Sequence, residues 1–250
     1  MQRQDDRFFG YDWEVEGVRA RFFVDLSVAE FAPDAMRTLL VTLSFESGDP
    51  NRDSMTPAEA HKAEALHEKC KKRLPLLYVG SIALEAQRVY YYYAASEEEH
   101  EGVEAVVSKE KHLVCTVESR LEPRYTTYFK LLYPDAAKAQ TVKNRDMTAL
   151  LKRQGDAVSP PRRVNLTCCF FTENERLGFE AEAREDGFVL GKPFYQPEQK
   201  KPHCAVLHRM SSLNDVDIDA LTTRTIRIAE RHGGELMRWD CQFVPKKAFR

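Results

Sequence analysis

A basic residue leading four aromatic rings, Arg88-Val-Tyr-Tyr-Tyr-Tyr93, is the segment of this chain with the most evident chemistry. Arginine pairs with phosphate and a tyrosine ring offers a flat face to a nucleobase. Arg88, Tyr90, Tyr91, Tyr92 and Tyr93 could therefore form a stacking platform for single-stranded RNA. Strand alternation divides such a run two and two between the faces of a sheet, so one pair of tyrosines belongs to a core. A second polar set lies near the C-terminus, where Arg238, Asp240 and Gln242 alternate with Met237, Trp239, Cys241 and Phe243. The polar three should share one strand face, joined by Asn165, Thr167 and Arg209 on neighbouring strands. Arg162-Arg163, just after Pro160-Pro161, adds a seat for an acidic group. Stripes of this kind suit recognition of a protein partner.

Catalytic signatures are missing. The patterns G-x-S-x-G, G-x-x-x-x-G-K-[ST], G-x-G-x-x-G and H-E-x-x-H do not occur, and nothing replaces them as a nucleophile with its base. His67 and Cys70, three apart on one helix face, supply two ligands where a zinc site takes three or four. The six cysteines, Cys70, Cys115, Cys168, Cys169, Cys204 and Cys241, include no C-x-x-C pair. In a reducing compartment they are expected as free thiols packed in cores. Cys168, Cys204 and Cys241 fall on strands that should be neighbours, but the apolar alternation around Cys241 places it in packing. The expectation is a non-enzyme without cofactor or metal.

Charge narrows the partner class. Thirty-seven lysines and arginines against 39 aspartates and glutamates leave a net charge of -2, which argues against a strongly basic nucleic-acid binder. The halves differ: residues 1–143 carry 19 basic and 24 acidic side chains, residues 144–250 carry 18 and 15. That asymmetry, with 250 residues where a domain takes about 100 to 200, suggests two units. No apolar run approaches the roughly 20 residues of a membrane span, and the first residues are polar and acidic where a secretion signal would be apolar. A cytoplasmic protein is expected.

The elements that would position these residues follow from periodicity and caps. Aromatic and branched runs over 8–15, 19–26 and 38–45 read as a hairpin, turning at Glu16-Gly17, and a third strand. Thr56-Pro-Ala-Glu59 is a capping box with proline at the first turn, predicting a helix over 57–73. Strands over 76–84 and 87–95, a helix to 108 and a strand over 112–118 complete strand-helix-strand-strand-helix-strand, the order of a ferredoxin-like unit. The order recurs downstream: strand 160–171, helix 173–185, strands 188–195 and 203–210, helix 213–232 and strand 236–244. The fold expected is α+β, two ferredoxin-like βαββαβ units in tandem with an extra N-terminal hairpin. Its parts are a domain over 1–135, a helical linker over 136–155 and a second domain over 156–250.

From 150 to 240 the chain resembles the family named for the regulator of ribonuclease E activity B, a small bacterial protein that binds the endonuclease and damps its cutting. Gln154-Gly-Asp-Ala-Val-Ser-Pro-Pro-Arg162, Glu185-Asp-Gly-Phe188 and Ile228-Ala-Glu-Arg-His-Gly-Gly-Glu-Leu-Met-Arg-Trp-Asp240 carry the resemblance. Its glycine pair and tryptophan are the most specific part. Upstream, Tyr78-Val-Gly80, Tyr90 to Tyr93, Leu131-Leu-Tyr-Pro134 and Asn144-Arg145 are similar to an uncharacterised domain often fused ahead of that module. The resemblance implies a ferredoxin-like C-terminal half and a protein-binding role, with a ribonuclease or its assembly as partner and no catalytic residues.

Overall fold

The structure, a computed structural model, describes residues 8–15, 17–49 and 51–246. Glu16, half of the expected first turn, and the basic residue Lys247 near the C-terminus lie outside them. The chain divides into two compact units, Met1–Pro134 and Asp135–Arg250. Both are α+β, each with one antiparallel sheet.

In the first unit, β1 (Phe8–Val15) and β2 (Val18–Asp25) form the hairpin; Gly17 at its turn has φ +82°, backbone that glycine adopts without strain. β3 (Leu39–Ser47), α1 (Pro57–Arg73), β4 (Leu77–Ala83), β5 (Gln87–Ala94), α2 (Glu97–Val107) and β6 (Leu113–Leu121) follow. The sheet order β1-β2-β4-β5-β3-β6 contains the ferredoxin-like order, extended by the hairpin at the β4 edge. The Thr56 hydroxyl accepts from the Glu59 amide and the Glu59 carboxylate accepts from the Thr56 amide, so α1 begins with both halves of the capping box. On the helix-covered face Leu39, Val41, Leu43 and Phe45 of β3 pack with Tyr90 and Tyr92 of β5 and with Ala63, Cys70 and Val103.

The opposite face also has a lid. After β6 the chain passes through Tyr125 into a π-helical segment, Thr127–Leu132. Tyr125 stacks on Tyr93 with ring centroids 3.6 Å apart. The Tyr128 hydroxyl donates to the Asp25 carbonyl at 2.8 Å, and the Tyr11 hydroxyl to the Leu132 carbonyl at 2.7 Å. These buried phenols therefore keep polar partners while their rings fill the space over the sheet.

In the second unit, α3 (Ala136–Arg153), β7 (Arg162–Phe170), α4 (Glu173–Glu185), β8 (Val189–Leu190), β9 (Phe194–Tyr195), β10 (His203–Ser211), α5 (Asp215–Arg231) and β11 (Glu235–Cys241) give the sheet order β11-β7-β10-β8, with β9 also on β10. Val164, Leu166, Cys168 and Phe170 of β7 pack with Phe179 of α4 and with Ile218, Leu221 and Ile228 of α5. Two expectations are corrected. The helix expected as a linker is capped by Asp135, whose carboxylate accepts from the Lys138 amide, and its Leu151 packs on this core, so it belongs to the second unit. The single strand expected over 188–195 is two short ones, because Pro193 between them has no N–H to continue a ladder.

The glycine pair at the end of α5 has a steric reason. Gly233 has φ +71°, and a Cβ on Gly234 would lie 2.1 Å from Cε1 of the buried Phe170 ring. The chain can turn closely enough to start β11 only if position 234 has no side chain.

Candidate interaction surface

Residues directly opposite across an antiparallel ladder point to the same face. β7 pairs with β10 as Leu166↔Leu207 and Asn165↔His208, and with β11 as Leu166↔Trp239 and Asn165↔Asp240. Leu166, Leu207 and Trp239 thus point to the helices. Arg163, Asn165, Thr167, Val206, His208, Met210, Arg238 and Asp240 occupy the other face.

Its centre is a hydrogen-bonded row crossing three strands. The Arg163 Nε donates to the Asn165 Oδ1 at 3.0 Å, and the Asn165 Nδ2 donates to the Asp240 Oδ1 at 2.7 Å. On the other side the Arg163 Nη2 lies 3.2 Å from His208 Nδ1. Desolvation and then the Arg163 charge hold the His208 pKa below its ordinary value, which favours the neutral ring as acceptor from Arg163. Exposed apolar side chains flank the row: Met210 at 65% exposure and, paired through Val189↔His208, Val189 at 56%. A polar row braced by its own hydrogen bonds, with accessible apolar groups beside it, has the composition of a protein-binding patch.

The expected residues divide. Arg238 and Asp240 are exposed on this face, and so is Arg163. Gln242 is exposed but lies one residue beyond β11. Arg209 is corrected: it pairs with Val164, so it points to the helix side, where its guanidinium lies 5.3 Å from the Phe188 ring centroid and donates to the Asp186 carbonyl. Arg162 is corrected as well. It is 4% exposed, and its Nη1 meets both oxygens of the fully buried Asp156 at 2.8 Å while also donating to the Gln242 carbonyl. A buried guanidinium committed in this way is a structural clamp.

Alternation on β11 holds for Trp239, Cys241, Arg238 and Asp240, and breaks at Met237. A β-bulge between Leu236 and Arg238 leaves Met237 as the extra residue. Leu236 packs against the core, and Met237, expected inside, is 43% exposed. Phe243, also expected inside, lies beyond the strand and is exposed. The cysteine expectation is corrected too: Cys169 and Cys204, opposite each other on β7 and β10, form a disulfide, while Cys70, Cys115, Cys168 and Cys241 are free. Directly opposed strand positions bring two Cβ atoms within disulfide reach. The pairing of Cys204 with the odd-numbered partner of β7 could not be read from spacing. Cys168 and Cys204 consequently face opposite sides of the sheet.

The tyrosine strand does not form a platform. Tyr90 and Tyr92 point into the helix-side core, Tyr93 lies beneath Tyr125, and all three are buried. Tyr91 is half-buried, and burial pushes its phenol up to about 12. Arg88 turns back onto the carbonyls of Leu84 and Gln87. Buried rings cannot take a base between them, so Tyr90, Tyr92 and Tyr93 do not have the exposure that the stacking role expected for them requires.

The second unit is thus a ferredoxin-like sandwich with helices on one sheet face and a braced polar row on the other. Residues 141–241 match the family described as RraB, Regulator of ribonuclease activity B. The match runs from within α3 to the end of β11 and includes every residue of the polar row. No curated protein matches the chain closely enough to count. Among the described residues no helix is long and apolar enough to cross a membrane.

Proposed function

We propose that this protein is a non-catalytic cytoplasmic regulator that acts by binding a protein partner, a ribonuclease or its assembly, through the helix-free sheet face of its second unit. The family match over 141–241 is the observation that carries this reading, because it supports a ribonuclease as the partner class and falls within the second unit. The row Arg163, Asn165, His208 and Asp240 supports it, with Arg238, Met210 and Val189 around it. These side chains are exposed or half-exposed, and braced polar groups lose little rotamer freedom on binding.

The test is calorimetry of the full chain with a purified ribonuclease assembly. Arg163→Glu, Arg238→Glu and Met210→Asp should each weaken binding at least about tenfold, roughly 1.4 kcal/mol, with unchanged melting temperatures. Arg224→Ala, on the exposed side of α5, should bind as the parent does. No binding by the parent chain, or equal binding by the three face variants, overturns the reading.

A further inference from the structure

One face of α1 carries a set of side chains that the interaction surface does not involve. Glu64, His67 and Glu68 stand at i, i+3 and i+4, the spacing that brings side chains together on a helix. One ligand atom from each lies within 4.8 Å of the others. The sequence offered His67 with Cys70 as a two-ligand fragment. In the fold Cys70 is buried in the core, and two carboxylates take the place it would have had.

His67 supplies the second, independent observation. It is 2% exposed, on the buried stripe of α1 with Ala63 and Cys70 and beside the more exposed Glu64 and Glu68. Its ring is stacked on Tyr90 with centroids 4.2 Å apart, and its Nδ1 lies 2.5 Å from the Tyr92 hydroxyl. That leaves Nε2 as the nitrogen turned toward the carboxylates. The nearest, Glu68 Oε1, is 3.8 Å away, beyond hydrogen-bonding distance. Glu64 is oriented from the same strand, its Oε2 accepting from the Tyr90 hydroxyl at 2.8 Å. An imidazole fixed through one nitrogen with the other aimed at carboxylates, one of them itself hydrogen-bonded, is how outer partners prepare metal ligands.

We propose that Glu64, His67 Nε2 and Glu68 bind one divalent transition-metal cation of the zinc type, with Tyr90 and Tyr92 as outer partners. A nitrogen with two carboxylate oxygens suits zinc, cobalt or nickel, whereas calcium takes six to eight oxygens and magnesium retains most of its water. Three protein ligands at a helix surface leave a coordination position for water. Lys71, whose Nζ is 2.7 Å from Glu68 Oε1, gives up that carboxylate when the cation enters. The bound cation would tie the middle of α1 to β5 through the two tyrosines.

The full chain, stripped with a chelator and then titrated with zinc, should bind one equivalent by calorimetry. Cobalt in place of zinc should develop a visible d–d absorption. Glu64→Gln and Glu68→Gln change partly exposed carboxylates and leave the fold intact; each should weaken zinc binding at least tenfold, and the double variant should abolish the cobalt band. His67→Gln should do the same, with circular dichroism of the metal-free variant confirming that it is folded. Less than stoichiometric binding by the parent chain overturns the proposal, as does a Glu64→Gln/Glu68→Gln double variant that binds zinc like the parent.

Discussion

The indole Nε1 of Trp239 on β11 donates a 2.8 Å hydrogen bond to Oδ1 of Asn144 on α3, a helix more than 80 residues earlier in the chain. Asn144 is fully buried, and its Nδ2 donates in turn to Thr222 Oγ1 and Asp219 Oδ1 on α5 at 2.9 and 2.8 Å. One asparagine thus connects the last strand to two helices. The most specific residue of the family resemblance is there for the interior, and α3 is held to the unit by a satisfied polar network.

Trp239→Ala removes both ring and donor and should lower stability by about 3 to 5 kcal/mol. Trp239→Phe keeps most of the ring and leaves Asn144 Oδ1 with its second donor, Gln140 Nε2 at 2.9 Å, so it should cost less, about 0.5 to 1.5 kcal/mol. Arg238→Glu, one residue away on the exposed face, should leave the melting temperature nearly unchanged. Urea denaturation of the three variants checks the order.

Asp156 and Arg162 join the stretch from the end of α3 to the start of β7 to the chain that follows β11. Besides Arg162, Asp156 accepts from the Val244 amide at 2.8 Å. Removing one partner of a buried pair leaves an uncompensated charge, so Arg162→Ala should cost about 3 to 5 kcal/mol. Arg163→Ala, next in sequence but exposed, should cost under about 0.5 kcal/mol. Equal melting temperatures for the two would show that Arg162 is not the clamp.

The Cys169–Cys204 bridge has a sequence separation of 35 residues. Closing a loop of that length should stabilise the unit by about 3 to 4 kcal/mol in the chain-entropy account. Denatured without reductant, the protein should take up alkylating reagent at four cysteines, and at six after reduction, as read by mass spectrometry. Six without reductant would show the pair to be reduced. Cys169→Ser/Cys204→Ser should melt below the oxidised parent.

Glu122 sets an acid limit for the first unit. Burial by itself would raise its pKa. The Thr127 amide at 2.6 Å, the Tyr93 hydroxyl at 2.7 Å and the Arg120 guanidinium at 2.8 Å outweigh burial and hold it below the ordinary carboxylate value. A depressed carboxylate contributes stability above its unfolded pKa of about 4.3, and the contribution is lost as pH falls through the folded value. Tyrosine near-ultraviolet dichroism should therefore melt at falling temperature below about pH 4.3. Glu122→Gln should flatten that dependence while costing about 1 to 3 kcal/mol at pH 7.

Local rules accounted for most of the elements. The Thr56 capping box and the glycine pair after α5 act within a few residues of themselves, so their effects can be read where they occur. The two-and-two division of the tyrosines and the inward side of Trp239 follow from a period of two along a single strand. The βαββαβ order follows from the succession of elements, because that connectivity admits few packings.

Contacts between distant segments were not legible in the same way. Whether Met237 or Leu236 faces the core depends on the bulge, which exists because β11 must match β7 across the ladder. Arg162 looks like a surface arginine until Asp156 and the chain after β11 close around it. The tyrosines looked available to RNA because the segment that buries Tyr93 carries no periodicity of its own and is folded by what it covers. His67 found its carboxylate neighbours on its own helix, but the tyrosines that turn it toward them come from β5. Side-chain direction along one element is a property of backbone geometry and is written locally; partner, burial and charge state depend on which other element arrives, and that is set by packing of the whole unit.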